Sequence, residues 1–283
     1  MDLAELKIFK AVAEHGGVTR AATALNRVQS NVTTRVKQLE ERLGTRLFHR
    51  QGRRLVLSAE GRVLLGYADR LLQLSSEAQA ALLKQAPQGA LRLGALESTA
   101  ATRLPALLAR YHREHPGVRL ALVTGTTGAL VDKLQREEIE AAFVAEPFDA
   151  RNLEMRHAFT EELVLISPRG HPRIASPKDL GERTVLAFTT GCSYRRRLES
   201  WLGRSSVVAE RVMEYGSYHA IVACVAAGGG IAAVPRAVLK LSGAEAQVAI
   251  HPLPLAVSRA RTQLVWRRGH RSTALDALRG ALD

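Results

Sequence analysis

The side chains best placed for chemistry in this chain are suited to recognition. Gln29, Ser30, Asn31, Thr33, Thr34 and Lys37 lie within one short run. An amide, hydroxyls and an ammonium on one helix face can meet base edges and phosphates in a groove of DNA. Arg50, Arg53 and Arg54 surround the dipeptide Gln51-Gly52. They offer guanidinium forks to phosphate or to a minor groove. Ser98, Thr99, Thr126, Thr190, Ser193 and Tyr194 sit where strand-like runs give way to helical ones. Helix starts carry unpaired amide hydrogens and favour anions, so these hydroxyls suit a small carboxylate. Each is equally an ordinary helix cap. Glu97 beside them could take an ammonium, which keeps amino acids and amines in view. Arg195, Arg196 and Arg197 could draw an acidic ligand or form a solvated face. Cys192 at a helix start would have a lowered thiol pKa, with Cys224 its one possible resolving partner. The chain has no Gly-x-Ser-x-Gly, no phosphate loop, and no metal-ligand spacing among its 9 histidines. No catalytic residue, metal or cofactor is therefore expected.

Elements of regular spacing must hold these groups. Val32, Val36, Leu39 and Leu43 put one apolar stripe on a helix, opposite the polar run. A shorter helix at about Arg20 to Leu25, with Thr19 as its cap, precedes it across Asn26-Arg27-Val28. Two helices joined by so tight a turn form a helix-turn-helix, whose second member enters the major groove. Leu3, Leu6, Ile8, Phe9, Val12 and Ala13 form a first helix that ends at Gly16-Gly17. Two β-prone runs between Thr45 and Leu57 flank Gln51-Gly52 as a hairpin, or wing. From Arg27 to Arg62 nine basic residues face three acids, a one-signed bias that supports a duplex DNA partner.

The totals agree. The 283 residues suffice for two or three domains, 46% are hydrophobic, and the formal net charge is +13. Such a balance favours a polyanionic partner. Two cysteines imply no disulfide framework and a reducing compartment. Asp2 and Glu5 stand where a signal peptide would be positive. No apolar run approaches the roughly 20 residues of a membrane span. A cytoplasmic protein with no membrane partner is expected.

After Ser58, a helix cap, the spacing predicts a helix to about Gln85. Leu64, Tyr67, Leu71, Leu74, Ala78 and Ala81 repeat every three and four residues as a heptad seam. Such a seam packs on its own domain or on a second copy. Ala86-Pro-Gln-Gly89 breaks the helix. From Ala90 strands and helices alternate: strands over 91–96, 118–123, 141–145, 163–167, 185–188 and 263–266, and helices over 101–115, 128–136, 194–201, 217–227 and 273–282. That order predicts an α/β domain with a parallel sheet.

The head resembles the DNA-binding domain of the LysR-type transcriptional regulators. The matching residues are Phe9, Ala13, Arg20-Ala-Ala22, Leu25, Gln29, Leu39-Glu40, Leu43-Gly44, Leu47-Phe48, Arg50 and Gly61. The family's usual Ser-Gln-Pro is here Val28-Gln29-Ser30, and its Ser-Arg pair is Thr33-Thr34. Thr34 cannot make an arginine's bidentate guanine contact, so the bases read differ. Later segments, including Gly228-Gly-Gly-Ile…Val-Pro235 and the strand near Glu161, resemble the same family's effector-binding domain. The resemblance implies a winged helix-turn-helix over 1–58, a linker and dimerisation helix over 59–89, and a periplasmic-binding-protein-like effector domain over 90–283. One lobe would hold about 90–160 and 264–283, the other about 161–263, with a small-molecule cleft between them. It further implies a homodimer or homotetramer, paired through Leu64, Tyr67, Leu71, Leu74 and Ala78. Such an assembly would bind a promoter operator under control of a carboxylate or amino-acid-like effector. Ser98 and Thr99 match the family's carboxylate-holding hydroxyls. An enzyme with a DNA-binding appendage and a purely architectural DNA binder are the competing classes. Turnover of a metabolite would favour the first, and indifference to every small molecule the second.

Overall fold

The structure, a computed structural model, describes the chain apart from residues 53, 84, 85, 182, 183 and 283; the side chains of Arg54, Glu77, Ala80, Ala81 and Leu83 also lie outside the description. The chain forms two compact units, Met1–Gly89 and Ala90–Asp283.

The first unit opens with α1 (Leu3–His15), which a reciprocal capping box between Asp2 and Glu5 starts and Gly16, at φ 62°, ends. Next come α2 (Val18–Ala24) and α3 (Gln29–Leu43). The strands β1 (Phe48–Gln51) and β2 (Arg54–Leu57) pair antiparallel, with Gln51 opposite Arg54. The long helix α4 (Ala59–Leu83) follows. Leu6, Phe9 and Val12 of α1 meet Val32, Val36 and Leu39 of α3, together with Leu47 and Phe48. Each such buried side chain contributes about 1.5–3 kcal/mol. Leu43, expected on the same stripe, is instead 41% exposed. It is the last residue before the left-handed Gly44, where the chain turns away from α1.

Two details of the turn differ from expectation. Helix α2 starts at Val18 with Gly17 in the cap position, so Thr19 caps nothing. Its hydroxyl donates to the side-chain oxygen of Gln29 at 3.2 Å, tying α2 to the start of α3. Ser58 does cap α4: its hydroxyl accepts from Gly61 N and donates to Arg46 O, both at 2.8 Å.

Helix α4 carries two apolar faces. Leu65, Ala68 and Leu72 pack inward, with Leu64 at the border of that core. Tyr67, Leu71 and Leu74 point out, at 55%, 40% and 63% exposure, and Ala78 is exposed with them. Ala81, the last member of the expected seam, falls among the side chains outside the description.

The second unit is a two-lobed α/β body. In its first lobe β3 (Gly89–Ala95), α5 (Glu97–Thr102), α6 (Leu104–Glu114), β4 (Val118–Thr124), α7 (Thr127–Gln135) and β5 (Ala141–Ala145) alternate. The long β6 (Leu153–Pro168) then passes between the lobes. In the second lobe come β7 (Thr184–Phe188), α8 (Ser193–Gly203), β8 (Arg211–Tyr215), α9 (Tyr218–Ala226), β9 (Ala232–Pro235), α10 (Arg236–Ser242), β10 (Val248–Pro252) and α11 (Leu255–Ser258). The chain returns through β11 (Arg259–Arg267) and closes with α12 (Thr273–Gly280).

The sheets are mixed. Strands β3 and β5 run parallel, as do β7 and β8. Strand β11 runs antiparallel to β5 and β6, and β6 runs antiparallel to β9 and β10. An all-parallel sheet fails because strands that cross between lobes and return must run opposite ways. Strand β11 already pairs with β6 at Arg259, five positions before the return expected at 264. Strands β8 and β10 had no strand expectation at all. The burial pattern of β8 is exposed along four of its five residues, so it lacks the apolar run that marks a buried strand. Among the described residues no helix is long and apolar enough to cross a membrane.

Candidate nucleic-acid interface and ligand cleft

Burial of Val32, Val36 and Leu39 on one stripe of α3 turns the opposite face outward, where Ser30, Thr34 and Lys37 fall at 3.6 residues per turn. Gln29, at the first position of the helix, and Ser30, Asn31, Thr33, Thr34 and Lys37 are all exposed, and Arg20 is exposed on α2. Thr33 donates to Gln29 O at 3.0 Å, leaving that hydroxyl oxygen outward as an acceptor. In the wing Arg50 is exposed on β1. Arg53 and the side chain of Arg54 lie outside the described residues.

Two carboxylates, Glu5 and Glu40, orient this face. Glu5, only 4% exposed, pairs with Arg42 and lies 3.9 Å from Arg35, joining α1 to α3. The Arg42 hydrogen bond holds its carboxyl below the usual range, helped by the Asp2 amide. Glu40 accepts from Leu47 N at 2.7 Å and Phe48 N at 3.2 Å, which fixes the wing's root to α3. Glu5 and Glu40 are thus used on structure, while Arg20, Lys37 and Arg50 remain displayed.

In the second unit, hydroxyls from both lobes converge. Ser98 and Thr99 open α5, each 1% exposed; Tyr194 opens α8, also 1% exposed, and Thr262 on β11 is fully buried. None of these four hydroxyls has a hydrogen-bond partner among the described residues. Burial pushes the Tyr194 phenol well above its ordinary value, and the Glu161 carboxylate adds to the rise. The hydroxyls of Ser98 and Thr262 are close enough to oppose that rise, yet none reaches good hydrogen-bond geometry with it.

Around this cluster the lobes touch. Thr126 caps α7 by accepting from Ala129 N at 3.3 Å. Thr127 donates to Ala145 O at 3.2 Å and lies 3.4 Å from the Ser193 hydroxyl of the other lobe. Gly128 N donates to Gly191 O at 3.3 Å. Gly191 has φ +92°, and a Cβ there would stand 2.9 Å from the Thr126 hydroxyl, so the contact requires glycine. Glu161, 2% exposed, takes a bidentate grip from Arg103 at 2.7 and 3.1 Å. Gln263 donates to Glu146 at 2.7 Å. Glu97 reaches the other lobe, 3.9 Å from the His219 ring. Burial raises its carboxyl pKa, against the pull of His219 and the Tyr218 amide.

Of the expected cleft residues, Ser98, Thr99, Thr126, Ser193 and Tyr194 are buried at the meeting of the lobes. Thr190 is exposed and donates to Glu214 at 3.2 Å, beside Arg195. Thr127, Glu161, Arg103 and Thr262 were not singled out from the sequence as cleft residues. Glu161 had a signal: a carboxylate leading straight into the apolar run Leu163–Ile166 needs a partner.

Reactive groups are held inert. His251 sits 2.8 Å from the Ser167 hydroxyl and accepts from Ile174 N at 3.1 Å through its other nitrogen. The proton therefore lies on Nε2 and points at Ser167, so the ring cannot deprotonate that hydroxyl. Cys192 is buried 3.5 Å from the Tyr218 hydroxyl. Both cysteines are free, and no cluster of three metal-ligating side chains occurs among the described residues.

A winged helix-turn-helix ahead of a two-lobed α/β sensor defines a one-chain DNA-binding regulator. Residues 3–62 match the bacterial regulatory helix-turn-helix proteins of the lysR family, and residues 84–283 match the LysR substrate binding domain. The chain belongs to the LysR family of transcriptional regulators. It is 42% identical over 284 residues to the HTH-type transcriptional regulator YusT of Bacillus subtilis (strain 168), covering 100% of this chain and 95% of that protein. It is 36% identical over 269 residues to GltR of the same organism, covering 95% and 91%. Among solved structures, an OxyR cysteine mutant of Corynebacterium glutamicum shares the fold with a TM-score of 0.71 at 22% identity, over 99% of this chain and 91% of that one. Full-length CbnR in complex with its target DNA gives 0.67 at 22% identity, over 100% and 99%.

Proposed function

We propose that this regulator acts in the cytoplasm, reads its operator through α3 and responds to a small carboxylate or amino-acid-like effector held between the lobes. Gln29, Ser30, Asn31, Thr33, Thr34 and Lys37 face the major groove. Arg20, Arg50, Arg53 and Arg54 hold the flanking backbone. The outward face of α4, with Tyr67, Leu71, Leu74 and Ala78 and with Leu64 at its border, pairs with a second copy. Two heads are thereby presented to a two-fold operator, in a dimer or a tetramer.

The observation that carries the effector reading is the four unpartnered buried hydroxyls contributed by both lobes. A buried polar group without a partner costs about 1–3 kcal/mol. A ligand carboxylate accepting from Ser98, Thr99 and Tyr194 would recover that cost in the ligand-bound form only. Arg103 is committed to Glu161, so hydroxyls rather than a free cation hold the carboxylate. Glu97 is positioned to meet an ammonium, which favours an amino acid over a simple acid. Binding that bridges both lobes biases their closure, and so the operator-bound geometry.

A thermal-shift screen of small acids, amino acids and amines tests this directly, since a ligand stabilises by RT ln(1 + [L]/Kd). Ser98→Ala should abolish the shift of the best compound and leave effector-free DNA affinity unchanged. Loss of DNA affinity instead would remove the cleft assignment.

A further inference from the structure

Helix α8 has two differently treated arginine faces. Arg195 is neutralised twice, by Glu199 at 2.7 Å and by Glu214. Arg196, Ser200 and the C-cap residue Arg204, whose backbone is still helical, lie four residues apart, so they share one side of the helix. With Arg197 they line a groove of about 340 Å³ together with Glu146-Pro147, after β5, and Ala256-Val257 in α11.

These three arginines spend their hydrogen bonds on carbonyls, if at all. Arg197 donates to Glu146 O and Ala256 O, both at 3.1 Å. Arg196 makes one long contact to Pro147 O at 3.5 Å. The guanidinium of Arg204 makes no hydrogen bond or ion pair among the described residues. Glu146, the acid among the groove's lining residues, has its carboxylate bonded to Gln263. Carbonyls orient a guanidinium but leave its charge uncompensated. Three such charges in one groove repel one another unless an anion joins them.

We propose that this groove binds a small phosphorylated metabolite, at a site separate from the cleft between the lobes. Guanidinium forks match the oxygens of a phosphoryl group two at a time, and a multivalent oxyanion can engage Arg196 and Arg204 together. Ser200 between them supplies a hydroxyl donor. The volume suits a compact ligand. The lining comes from the loop between β5 and β6 and from α8 and α11, so an occupant ties the first lobe to the second behind the cleft. Such an anion would act on lobe closure without competing for Ser98, Thr99 or Tyr194.

The test is calorimetric titration of inorganic pyrophosphate into the full chain at fixed ionic strength. Four proteins are compared: the unaltered chain, Arg196→Gln/Arg204→Gln, Ser98→Ala, and Arg113→Gln/Arg119→Gln, which removes equal charge from exposed positions elsewhere in the same unit. Arg197 is left intact because it bridges two segments. The expected result is a Kd at least tenfold higher in the Arg196/Arg204 variant, about 1.4 kcal/mol, at an unchanged melting temperature. The other two variants should stay within twofold of the unaltered chain. Arg204→Gln alone should show part of the loss. Absence of pyrophosphate binding, or equal loss in the Arg113/Arg119 variant, overturns the proposal. So does a variant that keeps pyrophosphate affinity but loses affinity for random duplex DNA, which would make the arginines a nucleic-acid contact.

Discussion

The outer face of α3 and the interior of the cleft both use hydroxyls and amides, in opposite ways. On α3 the polar groups stand exposed on a helix whose other side is packed, and under the proposed function they would give up hydration only when DNA replaced it. In the cleft, Ser98, Thr99, Tyr194 and Thr262 are buried and their hydroxyls have no hydrogen-bond partner among the described residues. The first arrangement costs the free protein little and draws its specificity from geometry on binding. The second costs the free protein stability, and under the proposed function a ligand would recover that cost by supplying an acceptor. A reading head and a sensor thus differ in when their polar groups are desolvated.

Four outcomes bear on that contrast. The largest effect is expected where the head depends on backbone packing. A Cβ at Gly61 would lie 2.2 Å from Leu47 O, so Gly61→Ala should destabilise the first unit by about 3 kcal/mol or more. Hydrogen exchange checks this: amides of α1 to α3 should lose protection while β3, β5 and β11 keep theirs. Exchange that rises equally in both units would mean the damage is not local.

Next, Gln29→Ala should weaken binding to the cognate promoter by about 1–3 kcal/mol and leave weak, salt-sensitive binding to random duplex unaltered. Fluorescence anisotropy at one fixed salt concentration measures both. Equal loss on the two DNAs would remove the base-reading role.

In the cleft, Tyr194→Phe should leave stability unchanged or raise it by about 1 kcal/mol, because the deleted hydroxyl has no partner to lose. The same change should cut affinity for the best acid or amino acid of the screen roughly tenfold. A clear fall in ligand-free stability would show the hydroxyl is satisfied, and the contrast with α3 would fail.

The smallest effect is in pH. Glu5 has a lowered folded pKa, so its contribution is present above the unfolded value, about 4.3. That contribution is lost as pH falls through the folded value. Glu97 has a raised folded pKa, so its burial penalty is present at neutral pH and is relieved as pH falls through that raised value. Mild acid should therefore act in opposite directions in the two units. Melting curves of Glu5→Gln and Glu97→Gln against pH test it: the first should flatten the acid loss, the second the acid gain.

How much of this was legible varied with the range of the interaction. The face of α3 follows from residues within 15 positions of one another, and helix geometry alone sorts Val32, Val36 and Leu39 from Ser30, Thr34 and Lys37; Gln29 falls on the apolar stripe's own line and is exposed at the first position of the helix. Leu43 broke the pattern because the left-handed Gly44 ends the helix there. In the cleft the sequence pointed to loops that meet between the lobes but did not sort which of their side chains are buried there. Thr126, Thr127, Thr190 and Ser193 are alike in type and setting. Yet Thr127 meets Ser193 across 66 positions, while Thr190 turns out to Glu214.

By itself the sequence determined the class: an amphipathic helix-turn-helix, a basic wing, an apolar linker helix, and alternating strands and helices in the order of a LysR regulator. Those features rest on local periodicity and charge, which survive without knowledge of the partner segments. Tertiary structure alone decided which hydroxyls are buried and unpartnered, that Arg103 is spent on Glu161 58 positions away, and that Arg195 is neutralised while Arg196 and Arg204 are not. Desolvation and charge pairing depend on what lies opposite a side chain, and strand crossings bring those neighbours from far along the chain.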